Sequence, residues 1–167
     1  MGEKKDLFDA EAIEKMKDLA GTGCFMVTHT GENSVDCRPM GIQLIDDQGN
    51  FWFFSEKNSA KNNQIHHNPK VELMIQNSGS QTYLSVTGQA VISQDREKIK
   101  ELWNGWAKTW FPDGEDDENL SLIMVETSDA YYWDNKHNQM ISLLKIAYGA
   151  ITGAQNSDDG VEGKIKP

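Results

Sequence analysis

Apolar positions three and four apart, Ile13, Met16, Leu19 and Ala20, predict an amphipathic first helix that Asp9 caps and Gly21 ends. The period then shortens. Cys24 to Thr28 reads as one strand and Val35 to Ile45 as a second, and Asp46 to Asn50 is a turn in which Gly49 can take positive φ. The turn leads into Phe51-Trp52-Phe53-Phe54, which is apolar at every position. A strand with one wet face alternates, so this one is covered on both sides, by a barrel interior and by a helix or a second subunit.

Ser59 to His67 predicts a short helix stopped by Asn68-Pro69. Val71 to Ile75 and Tyr83 to Thr87 are the next strands, and Gly88 suggests a bulge or bend before Ala90-Val91-Ile92. Asp95 opens another helix with Ile99, Leu102, Trp103, Trp106 and Trp110 at helical spacing. Trp103 and Trp106 are assigned to the core; Trp110, beside Pro112, and Trp133 are the aromatic candidates for a pocket. An acidic loop, Asp113 to Asn119, precedes strands at Leu120 to Val125 and Tyr131 to Trp133. Met140, Leu143, Leu144, Ala147 and Ile151 mark a C-terminal helix. The expected organisation is one domain over 1–155 and a disordered tail over 156–167. Many short strands with helices between them suggest a small closed or partly closed barrel.

Charge narrows the partners. A net charge of −10 over 167 residues disfavours nucleic acid and anionic lipid, so an anionic ligand would need a local cationic pocket. No apolar run approaches the roughly 20 residues of a membrane span, and the charged start lacks the apolar stretch of a secretory signal, so a cytoplasmic location is expected. Cys24 and Cys37 read as small strand residues rather than a disulfide framework.

Arg38 and Arg96 are the only arginines among 16 Lys and Arg residues. Arg96 starts a surface helix, whereas Arg38 sits mid-strand in Cys37-Arg38-Pro39-Met40, where a long cation suits either a wet face or a phosphate or carboxylate. In Phe54-Ser55-Glu56-Lys57-Asn58-Ser59-Ala60-Lys61 a strand ends and a helix begins. Free N–H groups at a helix start attract phosphate, and Lys61 adds charge that the helix dipole alone disfavours. Arg38 and Lys61 together would balance a phosphomonoester, which carries about −1.5 to −2 at neutral pH. Equally, Ser59 could be a simple N-cap and Lys61 a solvated charge.

Taken together, these stretches resemble the pyridoxamine 5'-phosphate oxidase-like split-barrel superfamily, and more closely its general stress protein branch. The resemblance runs from about Ile13 to Thr152. It is carried by Arg38-Pro39-Met40, by Phe54 to Lys61, and by Leu102-Trp103-Asn104-Gly105-Trp106 with Trp110-Phe111-Pro112-Asp113-Gly114 and Tyr132-Trp133. It implies a mainly β, antiparallel, six- to seven-stranded split barrel of Greek-key type with helices packed on it. It also implies a homodimer with flavin mononucleotide (FMN) between subunits. Arg38 and Lys61 would hold the phosphate with Ser59 near it, Phe54 and Ser55 would lie along the flavin and ribityl chain, and Pro39 and Met40 would pass the ring. Trp110 is added as the aromatic neighbour of the pocket.

The departures bear on activity. The resemblance implies that the oxidase proper has an arginine where this chain has Ala60, a lysine where it has Gln43, and a glutamine supplied by the partner subunit where it has Tyr83, and that its C-terminal substrate-binding arginine motif has no counterpart. Pyridoxamine-phosphate oxidation is therefore not expected, and FMN binding weaker than the oxidase's is. No side chain is assigned as catalytic and no metal site is expected. His66-His67 suit a helix C-terminus, and Asp113 to Glu118 lacks the ligand spacing of a calcium loop. The leading expectation is an FMN-dependent oxidoreductase or flavin reductase linked to stress. The alternatives are a non-catalytic protein that buffers or senses flavin, and a split barrel that uses haem or a deazaflavin.

Overall fold

A computed structural model of the chain describes residues 3–135 and 160–166. The order is β1 (Glu3–Lys4), β2 (Leu7–Phe8), α1 (Asp9–Ala20), β3 (Gly23–His29), β4 (Val35–Gly41), β5 (Leu44–Ile45) and β6 (Phe51–Glu56). Then come α2 (Ala60–His67), β7 (Lys70–Asn77), β8 (Thr82–Ser93), α3 (Arg96–Leu102), α4 (Ala107–Trp110), β9 (Leu120–Asn135) and β10 (Gly160–Lys166). Among the described residues seven strands exceed two residues, and the expected mainly antiparallel split barrel with helices packed on it is the fold found.

The sheet curls because two segments change partner along their length. β9 pairs with β8 along its length, while its other edge meets β6 over Leu120 to Val125 and β10 over Ala130 to Asn135. The chain from Val35 to Ile45 is two strands rather than the one expected: β4 pairs with β3, and β5 pairs with β6. Across the corner between them Ile42 N donates to Thr22 O at 3.0 Å and Gln43 N to Trp52 O at 2.9 Å, so the backbone stays paired while it changes partner. Conversely, Tyr83 to Thr87 and Ala90 to Ile92 form one strand, β8, with a register shift between Thr87 and Gly88. A Cβ on Gly88 would strike Glu126 O and lie 2.8 Å from Val125 Cγ1, which is why glycine occupies the bulge. The two strands expected in Leu120 to Trp133 are likewise the single β9.

The all-apolar β6 is covered on both sides. Phe51 and Phe53 are fully buried in the barrel interior with Met16, Met26, Leu73 and Val86. Trp52 and Phe54 face a second cluster formed by Ile99, Leu102, Phe111, Leu120 and Leu122. The outer cover within this protomer is thus the α3–α4 layer. Burying a Phe side chain contributes roughly 1.5–3 kcal/mol, so Phe51 and Phe53 are major anchors of the barrel.

Two expectations need correction. The helix predicted from Asp95 through Trp110 breaks at Trp103 to Trp106 into α3 and α4. Asn104 causes the break: its Oδ1 accepts from Trp106 N (2.9 Å) and Ala107 N (3.1 Å) and so starts a new turn. Trp106, assigned to the core, consequently stands out at 70% exposure. The second correction is the tail. Gly160 to Lys166, expected to be disordered, form β10, antiparallel to β9 and parallel to β1 and β2, with Ile165 buried. The proposed helix of Met140 to Ile151 lies outside the described residues. No helix among them is long and apolar enough to cross a membrane.

Candidate functional site

The start of α2 is the most heavily tied junction in the barrel. Ser59, extended at φ −72° and ψ 154°, caps the helix, its Oγ accepting from Asn62 N at 3.4 Å. Asn62 is fully buried and spans three elements. Its Oδ1 accepts from Ser55 Oγ of β6 at 2.6 Å, and its Nδ2 donates to Lys57 O (3.2 Å) and to Ser121 Oγ of β9 (3.1 Å). Ser121 Oγ in turn donates to Ser55 O at 2.9 Å. Every polar atom of this buried knot has a partner, which fixes where the first turn of α2 points.

Lys61 projects from that turn. Burial, followed by the nearby Arg38 guanidinium, pulls its pKa down from the ordinary lysine value, and Glu56 only partly opposes this. Its one hydrogen bond among the described residues is to Ser59 Oγ at 3.4 Å, and it forms no salt bridge there. The helix's first turn carries no acidic residue. Half-buried Lys61 therefore stands at a helix N-terminus within the field of Arg38, whose own charge Asp36 partly offsets.

Arg38 is held rather than solvated. Register pairs it with Met26, so its side chain shares the face of Cys24, Met26 and Thr28. Its Nη1 donates to Thr28 Oγ1 (2.9 Å) and its Nη2 to Gln64 Oε1 (3.0 Å). Thr28 Oγ1 donates to the same Gln64 Oε1 at 2.6 Å, and Gln64 Nε2 donates to Asp36 Oδ2 at 2.6 Å. Asp36 Oδ2 lies 3.4 Å from Arg38 Nη2. Thr28, Asp36 and Gln64 were not singled out in the sequence. The face-sharing of Thr28 with Arg38 follows from strand register, and Gln64 approaches only once α2 docks.

From this cationic end an open groove of about 1640 Å³ extends across β3, β4, β7 and β8 to α4. Of the residues expected at the site, Pro39, Met40, Phe54, Ser55, Lys61 and Trp110 line it, together with Trp133. Arg38 and Ser59 are not on its wall, but Ser59 Oγ accepts from Lys61 at 3.4 Å and the Arg38 charge acts on Lys61. Trp106, Gln43 and Tyr83 also line the groove. Among the described residues its charged lining is Glu56, Lys61 and Asp117. Cys24 reaches it too, but burial, then Cys37, pushes its thiol up to about 12. Neutral at ordinary pH, that thiol is a poor nucleophile. His66 and His67 lie at the last turn of α2, where His67 Nδ1 is 2.7 Å from Asn63 O.

The sequence profile described as pyridoxamine 5'-phosphate oxidase like matches residues 11–158. The chain belongs to this family. Among curated proteins it is 27% identical over 121 residues to Protein bli-3 of Neurospora crassa, covering 68% of this chain. The match spans about half of that relative, 54% of its length. Among solved structures, a general stress protein 26 from Jannaschia sp. CCS1 superposes with a TM-score of 0.72 at 20% identity, covering 93% of this chain and 95% of that one. The general stress FMN/FAD binding protein of Xanthomonas citri superposes with a TM-score of 0.65 at 25% identity, covering 76% and 90%. Fold and family agree with the resemblance carried by Arg38 to Lys61 and by the tryptophan-rich stretch.

Proposed function

We propose that the protein is an FMN-dependent oxidoreductase of the cytoplasm, working as a homodimer with one flavin in each groove. The observation that carries the reading is half-buried Lys61 at the N-terminus of α2 within the field of Arg38, a repulsion that a phosphate dianion would relieve. The residues present fit the cofactor. Lys61 and the Ser59 hydroxyl would hold the phosphate with Arg38 behind them, and Phe54 and Ser55 would line the ribityl chain. The backbone at Pro39 and Met40 would pass the isoalloxazine, with Trp110 at the far wall. FMN would supply the two-electron redox chemistry, and the chain would supply position and charge.

The dimer is supported by an apolar stripe that one protomer leaves in solvent. Phe25 and Met74 are paired across β3 and β7, Tyr83 and Trp133 across β8 and β9, and all four are exposed. Large apolar side chains gathered on one face mark an interaction surface.

The experiment is a titration of the purified protein with FMN and with riboflavin, followed by flavin fluorescence, for the natural chain, Arg38→Ala and Lys61→Ala. Both variants are expected to lose FMN affinity and to change little toward riboflavin, which lacks the phosphate. Equal losses for the two flavins would refute the phosphate assignment. Turnover with NADH or NADPH is then assayed on the FMN-loaded protein; binding without turnover would instead identify a flavin-buffering or sensing protein. That second reading is favoured by a groove whose thiol is buried and whose ionisable lining is so sparse.

A further inference from the structure

We infer that Trp106 and Trp110 form a rigid aromatic platform that binds a second planar, uncharged ring compound, of quinone or arene type, in the groove. The inference rests on the flavin reading for its functional sense, since it places that ring beside the cofactor.

Trp106 and Trp110 are each 70% exposed, and both line the groove. Trp106, in αR conformation at the N-cap of α4, and Trp110 are four apart, a spacing that puts both indoles on the groove side of the turn. Their mount is built, not loose. Asn104 Nδ2 donates to Gln43 Oε1 (2.8 Å) and Leu102 O (3.1 Å), while its Oδ1 caps the turn that carries both indoles. On the inner side Ala107 is buried, and Phe111 packs on Phe54 at a centroid separation of 6.4 Å. Phe54 also meets Trp103 edge-on at 6.0 Å. The fold thus spends a capping network and an aromatic anchor to hold two large apolar faces in water at the rim of a cavity. Such preorganised aromatic surfaces stack planar rings at little entropic cost.

Charge sets the class of ring. Among the described residues Glu56 and Asp117 are the groove's acidic lining and Lys61 is its one cation, and the chain as a whole carries −10. With Lys61 taken by the flavin phosphate, no lining cation among the described residues remains for a second anion. Phosphorylated, sulfonated or carboxylated rings are therefore disfavoured, and uncharged ones fit.

The test titrates the full chain, with and without FMN, with 2-methyl-1,4-naphthoquinone and with 1,4-naphthoquinone-2-sulfonate, by calorimetry. The uncharged quinone is expected to bind about tenfold more tightly than the sulfonate. Trp106→Ala should weaken it by up to about tenfold, and Trp106→Phe should restore most of the loss, as stacking of this size predicts. Equal affinity for the two quinones, or quinone binding indifferent to Trp106→Ala, overturns the platform. Indifference is also the result if a partner protomer covers the indoles. If FMN fails to bind while Trp106-dependent quinone binding persists, the flavin reading falls and the platform stands. If FMN binds and the quinone ignores Trp106, the reverse holds.

Discussion

Arg38 Nη2 donates to Gln64 Oε1 at 3.0 Å, and this bond ties β4 to the same helix that carries Lys61. The two cations are thus positioned by one element, α2, rather than independently. Gln64→Leu removes the acceptor shared by Arg38 and Thr28 and the donor to Asp36. The ion pair that Arg38 already makes with Asp36, at 3.4 Å, is then unopposed by Gln64 and draws the guanidinium further from the site. A hydrogen bond of this kind contributes about 0.5–1.5 kcal/mol, so FMN affinity is expected to fall by roughly 3- to 10-fold. Riboflavin affinity should move less, and fluorescence titration of both ligands reads the difference.

Lys61 gives the site a pH dependence of defined sign. Its folded pKa lies below its unfolded value, so the folded chain releases that proton first as pH rises. The cost of holding the charged ammonium is present in full below the folded pKa and is relieved between it and the ordinary value of 10.5; this group therefore makes the ligand-free protein more stable with rising pH in that window. A phosphate reverses the preference, because it stabilises the ammonium. FMN affinity is accordingly expected to decline as alkaline pH approaches 10.5, before an ordinary lysine would titrate, and Lys61→Arg should push that decline to higher pH. Parallel binding curves across the alkaline range decide it.

The two thiols should behave oppositely. Cys24 is buried with its pKa pushed up to about 12, while Cys37 is exposed. Brief treatment of the native protein with iodoacetamide at pH 7.5 is expected to modify Cys37 and spare Cys24. Peptide mass spectrometry should find a Cys24 adduct only after denaturation. Prompt native labelling of Cys24 would mean that its strand opens readily.

The barrel was legible in the sequence because strands with two buried faces announce themselves. Phe51 to Phe54 demanded cover on both sides, and the barrel interior and the α3–α4 layer supply it. The residues proposed to bind phosphate were visible as a scarce arginine and a misplaced lysine. Their supports were not, because Gln64, Asp36 and Asn62 are ordinary polar residues until α2 docks beside β3, β4 and β6. The tryptophan helix misled for a specific reason: Asn104 and Gly105 interrupt it, yet helical spacing continues across them, so Trp106 appeared to share the face of Leu102 and Trp103. The tail misled because its polar composition hides a strand stabilised by pairing. Only Val161 and Ile165 offer it large aliphatic side chains.

That strand is the subject of the last prediction. Gly163 of β10 lies opposite Tyr132, and a Cβ there would strike Lys5 O and come within 2.6 Å of Lys5 C. The contact is backbone, so no side chain can swing aside. Lys5 N donates to Glu162 O (3.0 Å), Lys164 N donates to Asp6 Oδ1 (3.0 Å), and Tyr132 Oη donates to Lys5 O (2.8 Å). Gly163→Ala must therefore push the amino-terminal segment off β10 and strain all three bonds, while Lys61 and Arg38 sit on other elements. A loss of about 1–3 kcal/mol is expected, read as a lower urea midpoint, with FMN affinity under native conditions retained. An unchanged midpoint would mean that β10 does not close against β1 and β2, and that Ile165 is not among the residues holding the core.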